Sequence, residues 1–216
     1  MISERKSLAQ LCWHAYWDIP EAARITRENL TAFVLPGTPA VVVFQGSNDV
    51  PDWFVNFDAT FATHPWGRVH AGFYRSWLRL RDAVSREIGL RPAILTGHSL
   101  GGALAVLAAH DIVYTSKVVT FGAPRVGDND FVSGFQAAML GHAERYVYQF
   151  DPVPLLPGYL AGYRHPTPPI WFDGESWLEG YSWAERVRQG WRLSGTWKHL
   201  LKFLWCHAAA RYATAA

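Results

Sequence analysis

The chain has 216 residues, half of them hydrophobic, which is enough to bury a sizeable core and predicts one domain over residues 1–216. Its formal net charge is only +2 and no long run of like charges occurs, which excludes nucleic acid as an expected partner. No apolar run is long enough to span a bilayer, so no transmembrane segment is predicted.

The cysteines and the first residues of the sequence indicate the redox environment and the cellular compartment that are expected for the protein. Two cysteines, Cys12 and Cys206, do not make a disulfide framework, and a single bridge between them is left open. No Cys/His cluster has the spacing of a metal site, so no metal is expected. The stretch MISERKSLAQLCWHAYWD has polar residues inside its apolar pattern, which is not typical of a secretory signal. The resulting expectation is a soluble cytoplasmic protein.

The first half of the chain predicts two helices and two strands. Apolar residues at helical spacing predict a helix that Pro20 stops. The segments TAFVL and AVVVF predict strands around a PGTP turn. A second amphipathic helix is predicted to end at Gly89, with its apolar stripe formed by Phe73, Trp77, Leu80, Val84 and Ile88.

From Ala93 onward, strands and helices alternate. AILTG, KVVTFG and RYVYQF predict buried strands, the last one ending at Asp151. Between them lie a helix from Ser99 to about Thr115, apolar on nearly every face, and a helix NDFVSGFQAAML capped by Asp128 or Asn129. This order predicts an α/β fold with a mainly parallel central sheet and helices on both faces. A Pro/Gly-rich loop follows Asp151, and residues from Ser182 onward have a helical, Trp-rich pattern.

The pattern GHSLG around Ser99 is the strongest chemical signal in the sequence. It follows an apolar strand and precedes a helix, which is the context in which G-x-S-x-G presents a nucleophilic serine on a sharp turn. Such a turn needs small neighbours, and Gly97 and Gly101 let strand and helix approach closely, while Gly102 lets the helix pack on the sheet. The alternative is a chance match in a glycine-rich turn, and the strand and helix on either side argue against it.

A nucleophilic serine needs a base, and the base needs an orienting carboxylate. In sheets of this type the three residues follow in the order Ser, Asp, His. Asp151 is the natural acid because it ends a strand and opens a proline-braced loop, although such a residue can also be a simple turn residue. Asp173, in a polar DGE turn, is a weaker rival.

Three histidines follow Asp151, and each can also be purely structural. His165 lies in the proline-rich loop, His199 lies near Trp197 and Lys202 as a surface residue would, and His207 follows the apolar run LLKFLWC. Local reasoning favours His207 as the base only slightly.

Acyl transfer also needs hydrogen-bond donors for the developing oxyanion. One expected donor is the backbone N–H of Leu100, directly after the serine. The other is expected from the loop after the strand VVVF, where Gly46 and Ser47 follow, although this loop can equally be a plain strand-ending turn.

Taken together, these blocks resemble the class 3 lipases, the fungal-type lipase family of the α/β-hydrolase fold. The likeness runs from about Ala40 to Tyr212. It comprises the blocks VVFQGSNDVPDWFVNF, VHAGFYRSW, TGHSLGGALAVLAA, VVTFGAPRVGD, YQFDPVPLLP, YRHPTPPIW and CHAAARY. The resemblance implies a single domain of this fold without a cofactor.

The resemblance also assigns roles to single positions. It implies Ser99 as nucleophile, Asp151 as acid and His207 as base, with Ser47 and Leu100 in the oxyanion hole. It implies a structural role for His165, because the corresponding histidine of the family is structural. The chain departs from the family pattern at Gln45, where Arg is usual, at Cys206, where Asp is usual, and after His165, where the usual Gly is missing.

The expected function is therefore hydrolysis of carboxylic esters, most of all triacylglycerol or other lipid esters, through an acyl-enzyme. The alternatives are a carboxylesterase for soluble short-chain esters and a non-catalytic protein that binds lipid surfaces. The segment NDVPDWFVNFDATFATHPW predicts either a short lid or a helix packed on the core, and TWKHLLKFLW either rests transiently on a lipid interface or caps the core.

Overall fold

The computed structural model describes residues 2–47, 60–179 and 207–215. Within them, eight strands form one sheet, and their bounds are β1 Ala23–Arg27, β2 Leu30–Leu35, β3 Ala40–Phe44, β6 Ala93–His98, β7 Thr115–Phe121, β8 Ala143–Tyr148, β9 Ile170–Phe172 and β10 Trp177–Glu179. Their order across the sheet is β1–β2–β3–β6–β7–β8–β9–β10. The strands from β3 to β9 in this order run parallel, while β1, β2 and β10 pair antiparallel at the two edges.

Helices cover both faces of this sheet. The helices on one face pack against the larger of two clusters of buried hydrophobic residues, and the helices on the other face pack against the smaller cluster. The first group is α2 Ala71–Ile88, α3 Leu100–Asp111 and α4 Asn129–Met139, and the second is α1 Ile2–His14 and α5 Ala209–Ala215. A separate hairpin of β4, Phe61–His64, and β5, Gly67–His70, leads into α2.

Strand β3 and the middle of β7 are apolar on consecutive residues because successive side chains point to opposite faces of the sheet and both faces are buried. In β3, Val42 and Phe44 belong to the core cluster under α2 and α3, whereas Val43 belongs to the cluster under α1 and α5. In β7, Val118 and Val119 divide in the same way. The absence of a polar alternation in these segments thus reflects a three-layer arrangement.

Two helices show how the local sequence sets their ends. The side chain of His70 accepts a hydrogen bond from the N–H of Phe73, which caps α2 as the chain leaves β5. Helix α3 ends at Asp111, earlier than the expected Thr115, because Thr115 Oγ1 donates to the carbonyl of Ile112 and turns the chain into β7. The indole of Trp77 donates to Asp111 at 2.6 Å and joins the middle of α2 to the end of α3.

The parallel strands end together at one edge of the sheet. In the register, Phe44 lies opposite Gly97, His98 opposite Phe121, and Phe121 opposite Tyr146. The loops after β3, β6, β7 and β8 therefore start close to one another, as expected for ligand sites in parallel sheets.

The predicted fold class is confirmed by this mainly parallel sheet with helices on both faces. The prediction of a single domain over residues 1–216 stays a prediction. Most of the proposed lid segment and the whole of TWKHLLKFLW lie outside the described residues. Among the helices that the structure describes, none is both long and apolar enough to cross a membrane.

Candidate active site

Ser99 lies on the sharp turn between β6 and α3. Its backbone has φ 57° and ψ −127°, a conformation that residues other than glycine rarely adopt. A Cβ at Gly97 would collide with the backbone of Gly101, and one at Gly101 would collide with the carbonyl of Phe44. The glycines of GHSLG are therefore required by the close approach of the strand and the helix, and they let this turn hold Ser99 at the edge of the sheet.

Ser99, His207 and Asp151 form a continuous line of hydrogen bonds. The Oγ of Ser99 lies 2.9 Å from Nε2 of His207. The Nδ1 of His207 lies 2.9 Å and 3.0 Å from the two carboxylate oxygens of Asp151. All three residues are almost fully buried, with relative exposures of 2%, 3% and 0% in the order Ser99, His207, Asp151.

Besides His207, two further donors hold the carboxylate of Asp151. Its Oδ1 accepts from the backbone N–H of Val153 at 2.9 Å, and its Oδ2 accepts from the hydroxyl of Tyr212 at 2.5 Å. The same hydroxyl accepts from the N–H of Tyr148, so β8 and α5 both fix its position. A buried carboxylate needs such partners, because desolvation without them is costly.

This arrangement sets the proton positions. A carboxylate only accepts hydrogen bonds, so Nδ1 of His207 donates to Asp151. In the neutral ring Nε2 then carries a free lone pair, which accepts the hydroxyl proton of Ser99. An imidazole in this state can act as a general base toward Ser99, with Asp151 stabilising the imidazolium that forms.

The two residues expected at the oxyanion hole belong to two segments next to the elbow, which is the turn that bears Ser99. Leu100 is the first residue of α3, directly after Ser99. Ser47 follows Gly46 in the loop after β3, and Gly46 packs so closely on the elbow that a Cβ there would be 2.8 Å from the carbonyl oxygen of His98. Both expected donors thus belong to segments that border Ser99.

The rival residues lie elsewhere. His165 is tied by Nε2 to the carbonyl of Pro154 at 2.7 Å, and Asp173 accepts from the backbone N–H groups of Glu175 and Ser176 in its own turn. His199 and Cys206 lie outside the described residues, and Cys12 is a buried free thiol. Among the described residues no group of three or more His, Cys, Asp or Glu side chains is arranged to hold a metal ion.

Sequence reasoning gave no role to several residues that contact this site. Tyr212 was part of a recognised block, CHAAARY, but its bond to Asp151 depends on the docking of α5. Gly122 has φ 58°, and a Cβ there would be 2.6 Å from Oδ2 of Asp151. Position 122 follows a buried strand, so a search for glycines at the carboxyl ends of neighbouring strands would have found it.

A serine on a strained strand-to-helix turn, with a buried carboxylate and an imidazole arriving later in the chain, defines the α/β-hydrolase class. Comparison with known proteins narrows this class. The chain belongs to the class 3 lipase family, because the family model described as Lipase (class 3) matches residues 41–160.

Individual relatives and solved structures agree with this placement. The secreted mono- and diacylglycerol lipase 1 of Fusarium solani is 38% identical over 62% of this chain and 44% of that protein. The secreted mono- and diacylglycerol lipase A of Penicillium cyclopium is 34% identical over 61% of this chain and 47% of that protein. The lipase of Rhizopus microsporus var. chinensis superposes with a TM-score of 0.71 and 26% identity, over 82% of this chain and 76% of that chain. The chain thus spans less than half the length of these two relatives.

The expectation of a cytoplasmic protein is wrong. Relatives from Fusarium solani, Penicillium cyclopium and Malassezia restricta are named as secreted lipases, which points to an extracellular setting. That expectation relied on the polar residues inside the apolar pattern at the start of the sequence, and in the structure this segment forms α1, which packs on the sheet.

Proposed function

We propose that this protein hydrolyses carboxylic esters of lipids through a covalent acyl-enzyme formed on Ser99. The observation that carries the proposal is the hydrogen-bonded line from Asp151 through His207 to Ser99, with 2.9 Å at each step. Membership of the class 3 lipase family supports the same reaction.

In the proposed first half-reaction, His207 Nε2 takes the hydroxyl proton as Ser99 Oγ attacks the ester carbonyl carbon. The backbone N–H groups of Leu100 and Ser47 stabilise the oxyanion of the tetrahedral intermediate, and the Ser47 hydroxyl assists. His207 then gives its proton to the alcohol oxygen, the C–O bond breaks and the alcohol leaves. Water is activated by His207 in the same way and releases the acid, which restores Ser99.

The substrates that we propose are glycerides, including mono- and diacylglycerols. The support is indirect and comes from the names of the relatives, two of which are mono- and diacylglycerol lipases. A carboxylesterase for soluble short-chain esters is the alternative. A hydrolysis profile over p-nitrophenyl esters and glycerides of increasing chain length separates them, because a lipase gains rate when the substrate forms an interface.

Ser99→Ala tests the nucleophile. We expect a loss of ester hydrolysis of roughly 10⁴-fold or more, since removing the nucleophile of such a triad leaves only binding and oxyanion stabilisation. A fluorophosphonate probe should label the wild type and not the variant, and the melting temperature should report an intact fold.

The matched control is Ser133→Ala. Ser133 lies exposed on α4 and donates to the carbonyl of Asn129, so its removal should leave both hydrolysis and labelling unchanged. Full hydrolysis by Ser99→Ala would overturn the proposal.

A further inference from the structure

His98, the residue before Ser99, directs its side chain toward the opposite face of the sheet from α3. It is 2% exposed, and both of its ring nitrogens have partners. Its Nε2 lies 2.6 Å from the backbone carbonyl oxygen of His207. Its Nδ1 lies 2.7 Å from the hydroxyl of Tyr16, which follows the end of α1. The ring therefore links α1 to the main chain of His207.

The partners define one tautomer of this ring. A carbonyl oxygen only accepts, so Nε2 of His98 carries the proton and donates to His207. Burial, and then the nearby His207, lower the pKa of His98 well below its usual value, so the ring is neutral and its Nδ1 accepts. The hydroxyl of Tyr16 is then the donor to Nδ1.

The same hydroxyl borders a second part of the site. A Cβ at Gly46 would collide with the Tyr16 hydroxyl, so the loop that leads to Ser47 runs directly over it. The rings of His98 and His207 are also in contact, with centroids 4.6 Å apart and planes tilted by 32°. Tyr16 and His98 thus contact the loop before Ser47, the turn that bears Ser99, and both the backbone and the ring of His207.

We propose that Tyr16 and His98 are positioning residues for the base: the Tyr16 hydroxyl holds His98 as the Nε2–H tautomer, and this N–H holds the main chain of His207 at Ser99. The proposal rests on the proposed function, because His207 is the base only in that mechanism. Its physical basis is that a nucleophile and its base must be held within a fraction of an ångström for efficient proton transfer.

Tyr16→Phe removes the donor to Nδ1 and keeps the aromatic ring. Without that donor the ring can adopt the Nδ1–H tautomer, whose bare Nε2 would face the carbonyl of His207. We expect kcat to fall roughly tenfold with KM unchanged, because substrate contacts are not altered. The control is Tyr146→Phe, which removes a hydroxyl that donates to Glu144 on β8 and should keep kcat within about twofold.

Nitrogen-15 NMR of the histidine rings gives a readout that does not depend on activity. In the wild type, Nε2 of His98 should be protonated and Nδ1 should have the shift of an acceptor, with the signals assigned from their loss in His98→Gln. In Tyr16→Phe the Nδ1 shift should change, whereas in Tyr146→Phe it should not.

Two results would overturn the proposal. One is a protonated Nδ1 of His98 in the wild type, and the other is an equal kcat in Tyr16→Phe and Tyr146→Phe. Failure of the proposed function is distinguishable, since it would appear as a wild type that neither hydrolyses esters nor is labelled at Ser99. The ring spectra of the wild type test the tautomer in either case.

Discussion

At the scale of single residues, the site depends on close packing around a buried carboxylate. Asp151 accepts from His207, Val153 and Tyr212, and Gly122 lies directly beneath its Oδ2. The carboxylate can occupy this position only because residue 122 has no side chain. The same residue has φ 58°, so glycine is favoured there by its backbone conformation as well.

Gly122→Ala separates these two demands. The new Cβ would be 2.6 Å from Oδ2 of Asp151 and 2.9 Å from the hydroxyl of Tyr212, so the carboxylate must shift from the position in which it accepts from His207. We expect kcat to fall by roughly tenfold or more. Gly141→Ala is the control, since Gly141 also has a positive φ, of 85°, but no heavy atom within 4 Å of its Cβ position. It should lose about 1 kcal/mol of stability and keep its kcat, and equal kcat in the two variants would contradict the packing argument.

At the scale of elements, Asp128 joins a helix to the hairpin before α2. Its carboxylate accepts from the N–H of Phe131 at 3.1 Å and so caps α4, and it also accepts from the backbone and the guanidinium of Arg68 on β5. Burial by itself would raise the pKa of Asp128, but these hydrogen bonds outweigh it and lower the pKa below its usual value of 3.8.

Asp128→Ala should therefore lower the free energy of unfolding by about 2 kcal/mol at neutral pH. Because the pKa of Asp128 is lower in the folded state, this stabilisation is present above the usual pKa and is lost as the pH falls through the folded value. The difference between wild type and variant should narrow below about pH 4, as measured by urea unfolding. Asp130→Ala, an exposed carboxylate in the first turn of α4, should cost only a few tenths of a kcal/mol. A constant difference at all pH values would contradict the assignment.

At the scale of the whole molecule, a buried histidine outside the site is expected to lower the free energy of unfolding as the pH falls. His64 is 3% exposed, and its ring meets those of Trp66, Tyr74, His110 and Phe131 edge to face. Burial first, and then the nearby His110, lower the pKa of His64 to about 4, although Asp111 acts in the opposite direction. The folded protein therefore holds this ring neutral.

The sign of the pH effect follows from this shift. As the pH falls from about 6.5 to about 4, the unfolded chain takes up the proton first, so the folded state loses up to roughly 2–3 kcal/mol from this group alone. His64→Asn, which keeps an acceptor for the N–H of Trp66, should flatten the fall in unfolding free energy between about pH 7.5 and about pH 4.5. The control is His142→Gln, at an exposed position, and its free energy of unfolding should fall with pH as that of the wild type does. An equal fall in wild type and His64→Asn would refute the role of His64.

Elements with a strong local pattern were predictable from the sequence. The apolar stripe of α2, the buried strands β3, β6, β7 and β8, and the strand–turn–helix around Ser99 all follow from periodicity and glycine placement. The short strands β1, β9 and β10 were not predicted, because their pairing partners, more than their own residues, define them. Strand β1, for example, reads ARITR and is mostly exposed at the edge of the sheet.

The sequence by itself determined the fold class and the sharp turn at Ser99, because both depend on patterns of residues that are close along the chain, and the fold class then set the order of the candidate acid and base. Only the tertiary structure decided which side chains meet. His207 reaches Ser99 across 108 positions and Asp151 across 56, and Tyr16 reaches His98 across 82. Contacts of this range arise from the packing of α1 and α5 on the sheet, which local periodicity does not encode. For the same reason, sequence reasoning could barely choose His207 over His199, and it gave no role to Tyr16, Gly122 or Tyr212.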